Sequence, residues 1–309
     1  MKLLVTGATG LIGKKILSLA QQKNFTVHYL TTQKKFLSNS ETLRGYYWNP
    51  EKGEIDSSCF QGVDTLIHLA GASISRVWTP KNKKTILNSR INTSRLLKKE
   101  MQRQNIKMKN IICAAAIGIY PNSLEETYHE ESDTEANNFL QKVAVAWEEE
   151  SRSMEQFTKH LAIVRIGLVL AKEGGLLSKL TLPVRFFSGT AFASGKQWQS
   201  WIHISDLTRL FFTIAQKNWE GVFNAVAPNP VSQRTLIRQI GKVLKRPVFL
   251  PNIPAFVVKK IMGERAVLLL GSQKVSADLV LSKGFVFEFP HLKEALVALL
   301  NKKNDILTT

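Results

Sequence analysis

Short apolar runs alternate with longer stretches of helical period through the first half of the chain. Leu3–Thr6, Thr26–Leu30, Gly45–Trp48, Thr65–Leu69, Asn110–Ala115 and Leu161–Leu170 have the length and content of strands. Between them lie helical patterns at Leu11–Gln22, from Thr79-Pro80 to about Arg103, and at Ala136–Phe157, where Val143, Trp147 and Met154 share one face. Thr79 offers an N-cap and Pro80 a first-turn proline, whose missing N–H costs nothing there. This alternation predicts βαβ units, and right-handed crossovers would stack the helices on both faces of a parallel sheet.

The second half changes character. Glycines and short apolar segments over Gly174–Gly195 predict an irregular, lid-like insertion at 174–200. Ile202–Lys217 and Val222–Val226 read as one more helix and strand returning to the sheet. Beyond Pro228 come a Ser232-capped helix, a connection holding Pro247, Pro251 and Pro254, a short helix, and a final helix His291–Lys302. The expected division is a large domain over 1–227 and a smaller C-terminal lobe over 228–309 that closes a ligand cleft.

Charge sharpens this picture only slightly. The net charge is +18, but the lysines stand in short scattered clusters such as Lys34-Lys35, Lys83-Lys84 and Lys259-Lys260. No aromatic-and-basic RNA signature or paired Cys/His finger accompanies them, so a solvated surface attractive to phosphorylated ligands is expected, and no nucleic-acid partner. With Cys59 and Cys113 as the two cysteines, neither a disulfide framework nor a metal site is expected. No apolar run approaches the roughly 20 residues that span a bilayer, and the chain begins directly on a strand. A cytoplasmic protein without a membrane span is the expectation.

The strongest chemical signal is Thr6-Gly7-x-x-Gly10-x-x-Gly13, directly after an apolar strand and before an amphipathic helix. The first glycine allows the tight turn, the second lets backbone approach a pyrophosphate, and the third permits close helix–strand packing. The helix beginning near Leu11 then aims free N–H groups and its positive end at the phosphates. This is the dinucleotide cradle of a Rossmann-type doubly wound sheet. The second strand ends in Thr31-Thr32-Gln33-Lys34-Lys35, without the Asp or Glu that accepts a ribose 2′-hydroxyl. Hydroxyls and lysines there suit a 2′-phosphate, so NADP(H) is expected ahead of NAD.

These features, with His68-Leu-Ala-Gly71, Ser89-Arg90, Ala146-Trp-Glu148, Arg165–Leu170, Gly195-Lys-Gln197, Trp201–Asp206 and Asn224–Pro228, resemble the extended short-chain dehydrogenase/reductases. More narrowly, the chain resembles the atypical branch labelled nucleoside-diphosphate-sugar epimerase or cell-division-inhibitor-like. The stretch from about Pro251 to Leu300 resembles that branch's own C-terminal domain, of unknown function. The resemblance implies an α/β Rossmann domain binding NADP(H), with a smaller α/β substrate lobe. It also implies that Gly7, Thr9, Gly10, Leu11, Ile12 and Gly13 line the pyrophosphate and that Thr31 and Thr32 lie at the adenosine ribose. Thr32 replaces an Arg common in the family. Leu69 and Ala70 would edge the cofactor, Arg90 would reach it from the next helix, and Gln197 and Trp201 would meet ligand near the nicotinamide.

The superfamily's acid/base chemistry uses a Tyr, a Lys four residues later and a Ser. Here the helix reads Phe139-Leu-Gln-Lys-Val143-Ala144, and the strand that should carry the Ser reads Ala115-Ala116. All three groups are missing. Tyr120 and His203 are the candidate replacements for proton transfer; each has a bland alternative, Tyr120 as a packing aromatic and His203 with Asp206 as a helix start. The expected function is an NADP(H)-dependent oxidoreductase or epimerase-like protein acting on a small polar or nucleotide-linked substrate, as a monomer or homodimer. The alternative is a non-catalytic NADP(H)-binding sensor or scaffold, linked by the branch label to cell division.

Overall fold

The computed structural model describes residues 1–301. The chain opens with β1 (Lys2–Thr6), α1 (Leu11–Gln22), β2 (Thr26–Thr31), β3 (Leu43–Asn49), β4 (Glu54–Ile55), β5 (Thr65–His68), α2 (Pro80–Arg103) and β6 (Met108–Ala116). It continues through β7 (Thr127–Tyr128), α3 (Phe139–Arg152), β8 (Thr158–Ile166), β9 (Leu168–Leu170) and α4 (Gly175–Arg185). Then come β10 (Trp198–Gln199), β11 (Trp201–His203), α5 (Ile204–Lys217), β12 (Gly221–Ala225), β13 (Val231–Ser232) and α6 (Gln233–Leu244). The described chain closes with α7 (Ala255–Met262), α8 (Val267–Leu270), β14 (Lys274–Val275), α9 (Asp278–Ser282) and α10 (Leu292–Leu300).

An eight-stranded sheet runs β12-β8-β6-β5-β1-β2-β3-β4. β1 pairs in parallel with β2 on one side and β5 on the other, so the strand order reverses at β1. Open α/β sheets form their ligand crevice beyond the carboxyl ends of the strands at such a reversal. β1 is buried on both faces, as a central strand of a helix-covered parallel sheet should be: Leu3, Leu4, Val5 and Thr6 are all buried. Thr79 caps α2 by accepting from the Asn82 N–H at 3.2 Å, with Pro80 in the first turn. Asn138 and Gln141 form a reciprocal capping box that starts α3 at Phe139.

The described chain falls into two compact units. The first comprises Met1–Ile119, Glu135–Arg165 and Thr208–Phe223; the second comprises Tyr120–Thr134, Ile166–Leu207 and the chain from Asn224 on. The first unit is built on a core that includes Leu4, Leu30, Trp48, Leu66, Leu97 and Met101. The second has its own core around Leu177, Trp201, Leu236, Ile240 and Leu296.

Three elements differ from the sequence expectation. The strand expected over Leu161–Leu170 is broken at Gly167, where a Cβ would stand 2.5 Å from the Ser200 carbonyl oxygen, and Leu168–Leu170 pairs with β11 instead. The segment expected to be irregular contains the helix α4. Leu177, Leu180 and Val184 give it a buried stripe, Gly174 sits at its N-cap, and Pro183 falls in its last turn. The helix expected over Ile202–Lys217 begins at Ile204, after a short strand. The last expected helix forms as Leu292–Leu300; Lys302 and the remainder of the expected C-terminal lobe to 309 lie outside the described residues.

Candidate functional site

The turn after β1 explains its glycines one by one. Gly7 has a φ of +67°, and a Cβ there would meet the Leu69 carbonyl carbon at 2.9 Å. At Gly13 a Cβ would lie 2.3 Å from the Gly7 carbonyl oxygen, so helix and strand could not approach as they do. Gly10 is different. Its backbone is extended (φ −79°, ψ 175°), which any residue can adopt, and a Cβ would meet only the Gly7 carbonyl oxygen at 3.2 Å. Glycine at this position keeps space open in front of α1, whose first turn has no side-chain cap. The N–H groups of Leu11, Ile12 and Gly13 have no intrahelical acceptor by geometry. An open helix start faced by a residue without a side chain fits an anionic group such as a pyrophosphate.

A buried network holds the opposite wall. Thr6 Oγ1 accepts from the Leu69 and Ala70 N–H groups at 3.0 and 3.1 Å and lies 2.7 Å from His68 Nδ1. With two donors already aimed at it, the Thr6 hydroxyl gives its proton to Nδ1, which leaves His68 Nε2–H to donate to Ser94 Oγ at 3.1 Å. The imidazole is neutral, because complete burial pushes its pKa down to about 4. Unfolded histidine titrates near 6.5, so the unfolded chain binds the extra proton first as pH falls. The stability tied to neutral His68 is full above about pH 6.5 and lost as pH drops toward 4, an effect of about 3 kcal/mol. Urea melts at both ends of that range are expected to show it, and His68→Leu is expected to flatten the slope relative to the parent.

The next stretch is clamped from α2. The Ala72 N–H donates to Ser89 Oγ at 2.9 Å, while Arg90 Nη1 donates to the Ala72 carbonyl at 3.1 Å. Arg90 also donates to the Ile86 carbonyl at 2.9 Å and lies over the Trp147 ring, its Cζ 4.7 Å from the centroid. Burial lowers its pKa to about 10, leaving it cationic at neutral pH. Gly71 leaves room for it, since a Cβ would sit 3.1 Å from the guanidinium carbon.

Between these walls is a cleft of about 740 Å³, lined among others by Gly7, Thr9, Thr31, Thr32 and Ala70. Five residues expected at the nucleotide thus come together on one surface. Leu69 holds the same wall through its N–H, and Gly10 to Gly13 form the helix start beside it. Arg90 stands behind the wall, holding the loop that lines the cleft. Lys81, Lys84, Asn88 and Asn92, which no motif in the sequence singles out, line the cleft from one face of α2. Their signal was present: spacing of three, four and four residues places them on a single helical stripe. Arg76 adds a third cation and Glu51 a carboxylate.

The remaining candidates lie in the second unit and are more deeply packed. Tyr120 is fully buried, donates to Asn224 Oδ1 at 2.8 Å and stacks on Tyr128 with centroids 5.1 Å apart. Glu130 accepts from the Asn224 N–H at 2.8 Å, and burial raises its carboxyl pKa. His203 Nδ1 accepts from the Ser205 N–H at 3.1 Å, and its ring lies 3.9 Å from that of Phe289. Asp206 accepts from the Glu288 and Phe289 N–H groups at 2.8 and 2.9 Å, fastening the segment before α10. Trp201 is wholly buried in the second core, its indole donating to the Asn229 carbonyl at 3.0 Å. Gln197 is nearly buried but lines a hollow of its own. Among the described residues no group of three or more His, Cys, Asp or Glu side chains could hold a metal ion. Nor is any described helix long and apolar enough to cross a membrane.

Comparison with known proteins agrees with this architecture. Residues 3–225 match the NAD dependent epimerase/dehydratase family, and residues 253–299 match a domain of unknown function, DUF1731. The chain is 32% identical over 307 residues to the epimerase family protein YfhF of Bacillus subtilis, covering 99% of this chain and 100% of that one. Among solved structures, human epimerase family protein SDR39U1 (isoform 2) with NADPH superposes with a TM-score of 0.84 at 29% identity, covering 97% of this chain and 99% of the other. A nucleoside-diphosphate sugar epimerase from Corynebacterium glutamicum gives a TM-score of 0.76 at 26% identity, over 97% of this chain and 58% of that one. The family model spans residues 3–225, most of the chain and the glycine-turn strand with it, and the chain belongs to the NAD dependent epimerase/dehydratase family.

Proposed function

We propose that the chain binds NADP(H) in the cleft beside Gly7–Gly13 and serves as an oxidoreductase or epimerase-like protein for a small substrate. The observation that carries this reading is the uncapped start of α1 facing the open space at Gly10. Leu11, Ile12 and Gly13 would present their N–H groups to the pyrophosphate, while Thr31 and Thr32 would lie at the adenosine ribose. Preference for the 2′-phosphorylated form is supported by the absence of an acid at the end of β2, by the cations Arg76, Lys81 and Lys84 in the cleft, and by the similar human protein, solved with NADPH. Once bound, the nicotinamide supplies hydride chemistry, and the protein supplies orientation and electrostatics.

Affinity measurements test the preference. NADPH is expected to bind about tenfold or more tightly than NADH, and Thr32→Asp is expected to erase that advantage by repelling the 2′-phosphate. Tighter binding of NADH by the parent would overturn it, and equal losses for both nucleotides in the variant would move the 2′-phosphate away from Thr32.

A second reading, nucleotide binding without turnover, is favoured by one specific feature. Whether the register on α3 starts at Phe139 or at Leu140, the chain offers no Tyr with a Lys four residues on: the pairs are Phe139 with the buried Val143 and Leu140 with the buried Ala144. Following NADPH absorbance against carbonyl compounds and nucleotide sugars separates the two. Turnover supports the enzyme; saturable binding with no turnover across the panel supports a sensor or scaffold.

A further inference from the structure

A hollow of about 720 Å³ lies wholly within the second unit, lined by stretches around Leu124, around Gln197 and from Ala255 to Ser272. That volume is typical of a small-molecule site. Its walls are mainly apolar, with Leu124, Ala266, Val267 and Leu270 among them. Two of the polar groups present are already committed to the fold. Asn122 Oδ1 accepts from the Ser272 N–H, and Ser272 Oγ donates to the Ser123 carbonyl while accepting from the Trp198 N–H.

Two others are not. Gln197 is 5% exposed; its Nε2 donates to the Phe192 carbonyl at 3.0 Å, yet its Oε1 has no donor among the described residues. A buried acceptor without a donor is costly, and a donor supplied by the occupant of the hollow it lines would remove that cost. Lys259, on the exposed side of α7, lines the same hollow, and no described carboxylate pairs with it. Glu264 also lines it but has a partner of its own. A nucleotide would need many polar partners for its base, ribose and diphosphate, and these walls do not offer them.

We propose that this hollow binds an anionic amphiphile. Its apolar body would lie along Leu124, Val267 and Leu270, its acid group on Lys259, and a hydroxyl or amide donor on Gln197. The assignment is independent of the dinucleotide cleft and would stand or fall without it.

Calorimetric titration of the full chain with dodecanoate and with a hydroxydodecanoate tests it, with NADPH titration and thermal melting as checks on folding. Saturable binding is expected, tighter for the hydroxylated probe. Lys259→Glu is expected to weaken dodecanoate by about tenfold while leaving dodecanol unchanged. Val267→Trp should fill the hollow and remove binding of both acids, and Gln197→Leu should erase the advantage of the hydroxyl. Absence of dodecanoate binding by a chain that still binds NADPH would overturn the proposal. So would binding that survives Val267→Trp but disappears in Phe256→Ser, which alters the exposed face of α7 instead, or Lys259-dependent competition by UDP-glucose.

Discussion

Gly10→Asp is expected to lower NADPH affinity more than about a hundredfold while leaving the protein at least as stable as the parent. The backbone at Gly10 is already that of an N-cap, so aspartate needs no rearrangement, and its added Cβ would meet one carbonyl oxygen at 3.2 Å. The new carboxylate would accept from the first-turn N–H groups that a pyrophosphate would otherwise use. It would also place a negative charge against the phosphates, at a cost of several kcal/mol for charges about 4 Å apart near a protein surface. Replacing Gly by Asp at an N-cap changes stability by only a few tenths of a kcal/mol, usually favourably. Calorimetric titration beside a denaturant melt reads both quantities. Retained affinity with unchanged stability would mean that the phosphates do not sit at this helix start. Gly13→Ala makes a useful contrast, since its Cβ would collide with backbone and both folding and binding should suffer.

The largest effect on stability is expected at Glu148. Its carboxylate accepts from Arg165 Nε at 2.9 Å and Nη2 at 2.8 Å, and from Arg152 Nη2 at 2.7 Å. The Arg165 and Glu148 side chains are 3% and 6% exposed, so this fork joins α3 to β8 inside the first unit. Glu148→Ala would leave the Arg165 guanidinium buried without its charge partner, a loss of about 3–5 kcal/mol. Changing both residues to apolar ones of similar volume (Glu148→Leu with Arg165→Met) should recover much of it, because the desolvation of both ions disappears together. Burial pushes the Glu148 pKa up, but hydrogen bonds and charge from Arg165 and Arg152 outweigh it and hold the group below its ordinary value. A depressed carboxyl stabilises the fold at pH values above its unfolded pKa, and that contribution fades as pH falls through the folded one. The parent should therefore lose more stability in acid than the double variant, as denaturant midpoints across that range would read.

The sequence revealed the dinucleotide cradle because its reasons are local. Gly7, Gly10 and Gly13 each answer to a neighbour within a few residues or to the next parallel strand, so their spacing carries the geometry. The support behind the cradle was less legible. Ser89 and Arg90 act on Ala72, and His68 reaches Ser94; these partnerships exist only once α2 lies across the sheet. Trp201, expected from the family resemblance to meet ligand, is a core residue, because β11 pairs with β9 and its side chain enters the second core. Gly174, Gly175 and Pro183 hide the helix α4: the glycines stand at its start, and Pro183, which costs a helix hydrogen bond, falls only in the last turn, so the buried stripe of Leu177, Leu180 and Val184 prevails. The hollow around Gln197 could not be seen at all, since three stretches separated by tens of residues build it.

The most direct test of the dinucleotide site is a crystal structure of the protein grown with NADPH. The expected result places the pyrophosphate within hydrogen-bond distance of the Leu11 and Ile12 N–H groups, with the adenosine end beside Thr31 and Thr32. A nucleotide bound elsewhere while the start of α1 faces only solvent would contradict it.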